Sequence, residues 1–272
     1  MTAATARDAS QGSSPRGNPA LRSDAARDGF TTPVVGVRTM SVVGVSIKTL
    51  ILLALVVAGG AWGWASATRP VAAHLGHGVG NTTVTIPGGF WLVSILALVL
   101  GFMTAMNPRR APVTAPLYAL AEGYILGAVS AAFNAQTDGI VSAAVLATLC
   151  VFVAALLLYA TRIVRPTQRM AFGVTTALIG LLFFWSFAGL VSILNWGWLY
   201  SDSFRTIGII VGVLSIVLAA LSLTLDFAVI EAGVEAGAPA RMEWYSAYGL
   251  TVTLVWLYFE LLRLLALLSQ ER

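Results

Sequence analysis

Residues 206–231 read TIGIIVGVLSIVLAALSLTLDFAVIE, and the only charge before the terminal Glu231 is Asp226. At about 1.5 Å of rise per residue, a helix of this length crosses about 30 Å of hydrocarbon with turns to spare. The rest of the chain repeats the theme. Its residues are 58% apolar and only 10% charged, and its mean hydropathy is +0.84. A soluble domain carries about 25% charged residues, so no water-soluble fold could bury this much apolar surface.

Working outward from that stretch, further apolar runs predict spans at about 47–66, 88–106, 115–134, 139–161, 170–194 and 245–267, with 206–231 as the sixth of seven. The breaks between them carry Pro, Asn, Asp or charge, as in Asn107-Pro108-Arg109-Arg110 and Gln136-Thr137-Asp138. In the first run Gly59 and Gly60 interrupt the apolar pattern, which membrane helices tolerate better than soluble ones. No internal repeat suggests an inverted-repeat transporter. The expected fold class is therefore all-α: a polytopic membrane helical bundle of seven transmembrane helices filling residues 46–268, with a short tail at 269–272.

Residues 1–45 differ from the remainder. Polar residues such as Ser10, Gln11, Ser13 and Ser14 alternate with scattered Arg and Asp, which predicts a disordered cytoplasmic arm, and no apolar h-region with an Ala-x-Ala site marks a cleavable signal. Basic residues then set the orientation. With the N-terminus inside and the C-terminus outside, the cytoplasmic segments hold Arg38 and Lys48, Arg109 and Arg110, Arg162, Arg165 and Arg169, and Arg241. The opposite loops hold Arg69 and Arg205. This asymmetry accounts for the net charge of +4 without any role for nucleic acid.

Several chemistries are excluded by what the sequence lacks. Cys150 stands alone in an apolar run as a small packing residue, so no disulfide framework or thiolate cluster exists. His74 and His77 share a loop without a nearby carboxylate or thiol and read as solvated side chains. Trp196, Trp198 and Tyr200, and Trp244 with Tyr245, fit interfacial anchors. There is no phosphate-cradling glycine loop, Gly-x-Ser-x-Gly elbow or His-Glu-x-x-His motif, so the expectation is neither an enzyme nor a cofactor protein.

What remains is the ionisable inventory inside the spans: Glu122, Asp226 and Glu260. A charge at membrane depth costs about 3 kcal/mol on insertion scales, so such residues face protein or water and often mark a pathway. By helical rise, Glu122 and Asp226 should lie at similar depth, about 8–10 Å from the cytoplasmic side, with Thr251 and Thr253 near that level. Glu260 falls two turns beyond Thr253 on the same face. If Glu122 and Asp226 approach each other, both cannot ionise easily, and a proton would decide whether a cation enters. Those two carboxylates, with Thr224, Thr253 and backbone oxygens, would be the calcium-binding candidates. Arg109 or Arg110 would be the competing cation that locks a carboxylate shut. The plainer readings are an intrahelical pair of Glu260 with Arg263, a small-residue packing face at Gly123 and Gly127 that carries Glu122 inward, and a solvated rim at Glu231, Glu235 and Glu243.

Three stretches resemble a known family. They are Ala115 to Gly127 (APLYALAEGYILG), Leu225-Asp226-Phe227 followed by Ile230 to Pro239 (IEAGVEAGAP), and Met242-Glu243-Trp244-Tyr245 leading to Trp256 to Leu265 (WLYFELLRLL). Together they resemble the bacterial Bax inhibitor-1/YccA-like integral membrane proteins, of actinobacterial type, over about residues 100–268. The resemblance implies a seven-helix protein of the bacterial inner membrane, with a carboxylate pair on the last two helices and a proton-sensitive calcium leak. Asp226 matches the first carboxylate, and the second falls on Thr253 or on Glu260. It also implies a rival role, a non-conducting regulator that binds a membrane protease in quality control, for which the 1–45 arm would be the contact.

Overall fold

The computed structural model describes residues 38–70, 82–164, 166–194 and 202–269. They form seven helices: α1 (Val42–Ala67), α2 (Phe90–Met106), α3 (Ala111–Asn134), α4 (Ile140–Ala160), α5 (Gln168–Leu194), α6 (Asp202–Glu235) and α7 (Met242–Ser269). Each expected span coincides with one of them, and the boundaries differ by at most a turn or so. Six are long and apolar enough to cross a membrane. The seventh, α2, has 17 residues, about 25 Å of helix, near the lower limit for a span.

The bundle is organised around α7, which is buried at positions from Met242 to Ala266 and packs against α6, α1, α4 and α3. Large apolar side chains such as Trp62, Trp91, Leu98, Phe183 and Ile210 point outward, fully exposed to what would be solvent in a soluble protein. An outer surface of this kind fits lipid and not water.

The most extensive helix pair is α1 with α3, and the glycines that interrupt the first apolar run explain it. A Cβ on Gly127 would fall onto the Gly60 carbonyl, one on Gly123 onto that of Val56, one on Gly59 onto that of Leu120, and one on Gly63 onto that of Tyr124. Backbone meets backbone along four successive contacts. Close approach of this sort is how membrane helices gain packing energy without a hydrophobic driving force.

Local chemistry sets the helix ends. Ser41 caps α1, its Oγ accepting from Gly44 N at 2.9 Å. Asn107 ends α2 and caps the 3-10 turn Pro108–Arg110 by accepting from Arg109 N at 3.2 Å. Gly139 starts α4 with φ +79°, a conformation that costs a side-chain residue energy. A short antiparallel ladder, β1 (Thr68–Pro70) with β2 (Thr82–Val84), closes the α1–α2 connection in the register Thr68↔Val84. Nothing in the sequence reading anticipated it.

Four expectations need correcting. The arm expected to reach residue 45 ends sooner: Met40 N donates to Ala238 O at 2.7 Å, Ala240 N donates to Arg38 O at 2.8 Å, and helix begins at Val42. The segment from residue 38 is therefore stitched to the α6–α7 connection. Glu243, expected on a solvated rim, is buried: it pairs with Lys48 and accepts from Ser41 N at 2.9 Å and Ser41 Oγ at 3.1 Å. This polar staple joins the starts of α1 and α7. Tyr245 likewise is core and not an interfacial anchor, its hydroxyl donating to Ala105 O at 3.2 Å. Cys150 faces outward from α4 and so is not a packing residue. The arm before residue 38, His74, His77, Trp196, Trp198 and Tyr200 lie outside the described residues.

Candidate functional site

The short 236–241 connection makes α6 and α7 antiparallel neighbours, and their shared face carries the buried polar groups. Asp226 is 1% exposed, and Thr253 Oγ1 donates to its Oδ2 at 2.7 Å. Asp226 lies nine residues before Glu235, the last residue of α6, about 14 Å along the axis, and five residues before the exposed Glu231, about 8 Å inside the end of the apolar run. The Thr253 hydroxyl also reaches Gly249 O at 3.2 Å. Of the two positions offered by the family resemblance for a second carboxylate, the one facing Asp226 is Thr253.

Glu260 stands two turns further along α7, 3% exposed. Arg263 donates to its Oε2 through Nη2 at 2.5 Å and Nε at 3.2 Å, and Trp256 Nε1 donates to Oε1 at 3.4 Å. The Arg263 guanidinium also lies 3.9 Å over the ring of Trp185, on α5. The intrahelical pair read from the spacing therefore forms, and a cation–π contact adds a tie to a neighbouring helix.

Glu122 is half-buried on α3 and has no hydrogen-bond or ion-pair partner among the described residues. It lies within electrostatic reach of the Tyr118 and Tyr248 hydroxyls. Tyr248 donates to Gly101 O at 2.9 Å and stacks edge-on against Tyr118 at 5.2 Å. The main packing partners of α3 are α1, α2 and α7, whereas those of α6 are α7, α4 and α5. The geometry therefore does not bring Glu122 and Asp226 into one paired-carboxylate site. Arg109 and Arg110 are exposed at the turn that opens α3, 12 or more residues before Glu122 and so about 18 Å away along the axis. Neither pairs with a carboxylate among the described residues, where there is also no group of three or more His, Cys, Asp or Glu able to hold a metal.

Two features were not legible in the sequence. One is the staple of Ser41 and Lys48 on Glu243, over which Lys48 also lies 5.6 Å from the Trp244 ring; only the matching of a basic residue near one helix start with an acidic one near another could have hinted at it. The other is a cleft of about 500 Å³ beside the end of α6, lined by Tyr159, Arg162, Pro166, Glu231 and Glu235, where the Tyr159 hydroxyl donates to Glu231.

These observations define a polytopic helical membrane protein with a buried carboxylate held between its last two helices. The chain belongs to the Bax inhibitor 1 like family, whose sequence model matches residues 2–270. No curated protein and no solved structure matches it.

Proposed function

We propose that this protein is a pH-sensitive cation leak of the bacterial inner membrane, N-terminus inside, with Asp226 as the group that sets whether the path is open. The single observation that supports the reading most is the carboxylate of Asp226, 1% exposed inside an apolar helical bundle, where it accepts from the Thr253 hydroxyl. Such a group is expensive to retain in a membrane unless it faces a pathway. Calcium is the cargo implied by the family resemblance. It prefers six to eight oxygen ligands, and the Asp226 level offers one carboxylate, the Thr253 hydroxyl and backbone carbonyls, which suits an ion in transit better than one in residence.

The test is calcium entry into liposomes holding the purified full chain, from about pH 5 to about pH 8, for the natural protein and Asp226→Asn. Flux that varies with pH in the first and loses that dependence in the second is expected. Liposomes no leakier than empty ones would overturn the reading. The regulator of a membrane protease would then come first, with the N-terminal arm as its contact.

A further inference from the structure

Most buried hydroxyls in this bundle are satisfied by the carbonyl one turn back in their own helix, as is usual for Ser and Thr in membrane helices. Thr49, Thr104, Thr175 and Thr251 all donate this way, at 2.7 to 2.9 Å. Three serines do not. Ser215, Ser222 and Ser246 are 0%, 7% and 2% exposed, and their Oγ atoms have no hydrogen-bond partner among the described residues.

Their positions are not scattered. On α6, Ser215 and Ser222 are seven residues apart and Ser222 is one turn from Asp226, so all three share a face. On α7, Ser246, Thr253 and Glu260 recur at intervals of seven and share a face too. The Asp226–Thr253 bond puts these two faces opposite each other. Counting about 1.5 Å per residue from that bond, Ser246 lies about 10 Å toward the hairpin end, while Ser222 lies about 6 Å, Glu260 about 10 Å and Ser215 about 16 Å toward the other end. The file is thus about 27 Å long, close to the thickness of the hydrocarbon layer.

We infer that the α6–α7 seam holds a file of water running through Ser246, Asp226, Ser222, Glu260 and Ser215, and that this file carries protons across the membrane. The inference rests on the reading of Asp226 as an on-path group, and it deepens that reading by adding protons to the cations the path carries. Buried hydroxyls left unpaired cost free energy unless water meets them, and one buried water satisfies about three polar groups. Gaps of about 4 to 10 Å between successive polar levels are bridged by one to three waters. A hydroxyl passes a proton by accepting on one side and donating on the other, so Ser222 needs no charge of its own; a proton enters at one end as another leaves.

The experiment measures proton and calcium entry in parallel, with a pH-sensitive dye and a calcium dye inside liposomes holding the full chain, under an imposed potential. Ser222→Ala and Ser215→Ala should each lower proton flux about tenfold, the effect of removing one relay step of about 1.4 kcal/mol. Ser222→Thr should restore it, and Ser142→Ala, on the exposed start of α4, should change nothing. A second readout is independent of transport: in a Cys150→Ala background, Ser222→Cys should react with a small water-borne thiol reagent, and Leu223→Cys, a fully buried neighbour, should not. Proton flux unchanged in both alanine variants, together with an unreactive cysteine at 222, overturns the water file; if calcium flux still depends on Asp226, the leak reading stands without it. Absence of both fluxes in the natural chain removes the two together.

Discussion

Replacing Thr253 by Val keeps the shape of the side chain and deletes only the hydroxyl that donates to Asp226 at 2.7 Å. A donor–acceptor distance this short, with a carboxylate as acceptor, is characteristic of charge-assisted bonds, which contribute about 1.5–3 kcal/mol in soluble proteins. Between membrane helices, measured couplings average about 0.6 kcal/mol and reach about 1.7. Both partners here are buried, Thr253 at 5% exposure and Asp226 at 1%, so the upper part of the membrane range applies: about 1.5 kcal/mol, or roughly tenfold in the unfolding equilibrium. The assay is reversible unfolding in mixed detergent micelles, followed by helicity, for the natural chain, Thr253→Val, Asp226→Leu and the double variant. The cycle subtracts the weaker reach of Thr253 to Gly249 O at 3.2 Å, because that loss is common to both arms. A coupling below about 0.3 kcal/mol would refute the claim that this pair joins α6 to α7.

Three further outcomes are expected. Lys48→Met leaves the buried Glu243 carboxylate with only the two Ser41 donors; because Lys48 keeps 19% exposure, the loss should be about 2 kcal/mol, less than for a fully buried pair, read as a lower Tm in detergent and faster proteolysis near residue 40. Gly127→Val should destabilise by about 3 kcal/mol or abolish membrane expression, because its Cβ meets the Gly60 backbone, whereas Gly173→Ala, with open space around it, should be neutral on the same expression blot. With the N-terminus inside, a cysteine replacing Arg109 should be labelled by an impermeant reagent only from the cytoplasmic side, and a tag after Arg272 only from the outside; the reverse pattern would invert the topology.

The spans were legible because a membrane leaves the backbone so little choice. Every apolar run of sufficient length had to become a helix, and all seven did. The α1–α3 contact was half legible: Gly123 and Gly127 advertised a packing face, but Gly59 and Gly60 on the facing helix looked like defects in a span until the two backbones met. The site was harder to read. Spacing along a helix follows from residue number, so the turn-spaced Glu260–Arg263 pair was legible. Which helices are neighbours does not follow from depth. Glu122 and Asp226 share a level but belong to helices with different packing partners, and Thr253 took the place beside Asp226. Glu243 was misread for the same reason, since its partners, Ser41 and Lys48, come from the far end of the sequence.

The two principal interfaces divide the physical tasks of such a bundle. Between α1 and α3 the glycines bring main chains into contact, so no side chain or water can enter, and the pair is a dry, stiff unit. Between α6 and α7 an aspartate, a threonine and serines without partners among the described residues are set among core leucines such as Leu223, Leu254 and Leu257, polar groups that call for water in an otherwise apolar seam. The staple of Ser41 and Lys48 on Glu243 ties the stiff unit to the start of α7, and Tyr248 on Gly101 O ties α7 to α2 one and a half turns further on. These bonds hold the hairpin end of α7, while its far half is held to α3 by the Tyr258 hydroxyl and Ser130 Oγ at 2.7 Å, to the α3–α4 turn by Ser269 Oγ and Thr137 Oγ1 at 3.0 Å, and against Trp185 of α5 by Arg263. A change in the ionisation of Asp226 therefore acts first on the α6–α7 pair that holds it, with α7 anchored at both ends and α6 the element able to move. Opening of the seam shifts α6 past the Arg263 side chain, which lies beside Gly212 of α6 as well as over Trp185. Trp185 fluorescence, compared with that of an Arg263→Gln variant across the same pH range as the flux, should follow that opening; a Trp185 signal that stays constant while flux changes would place the moving part elsewhere.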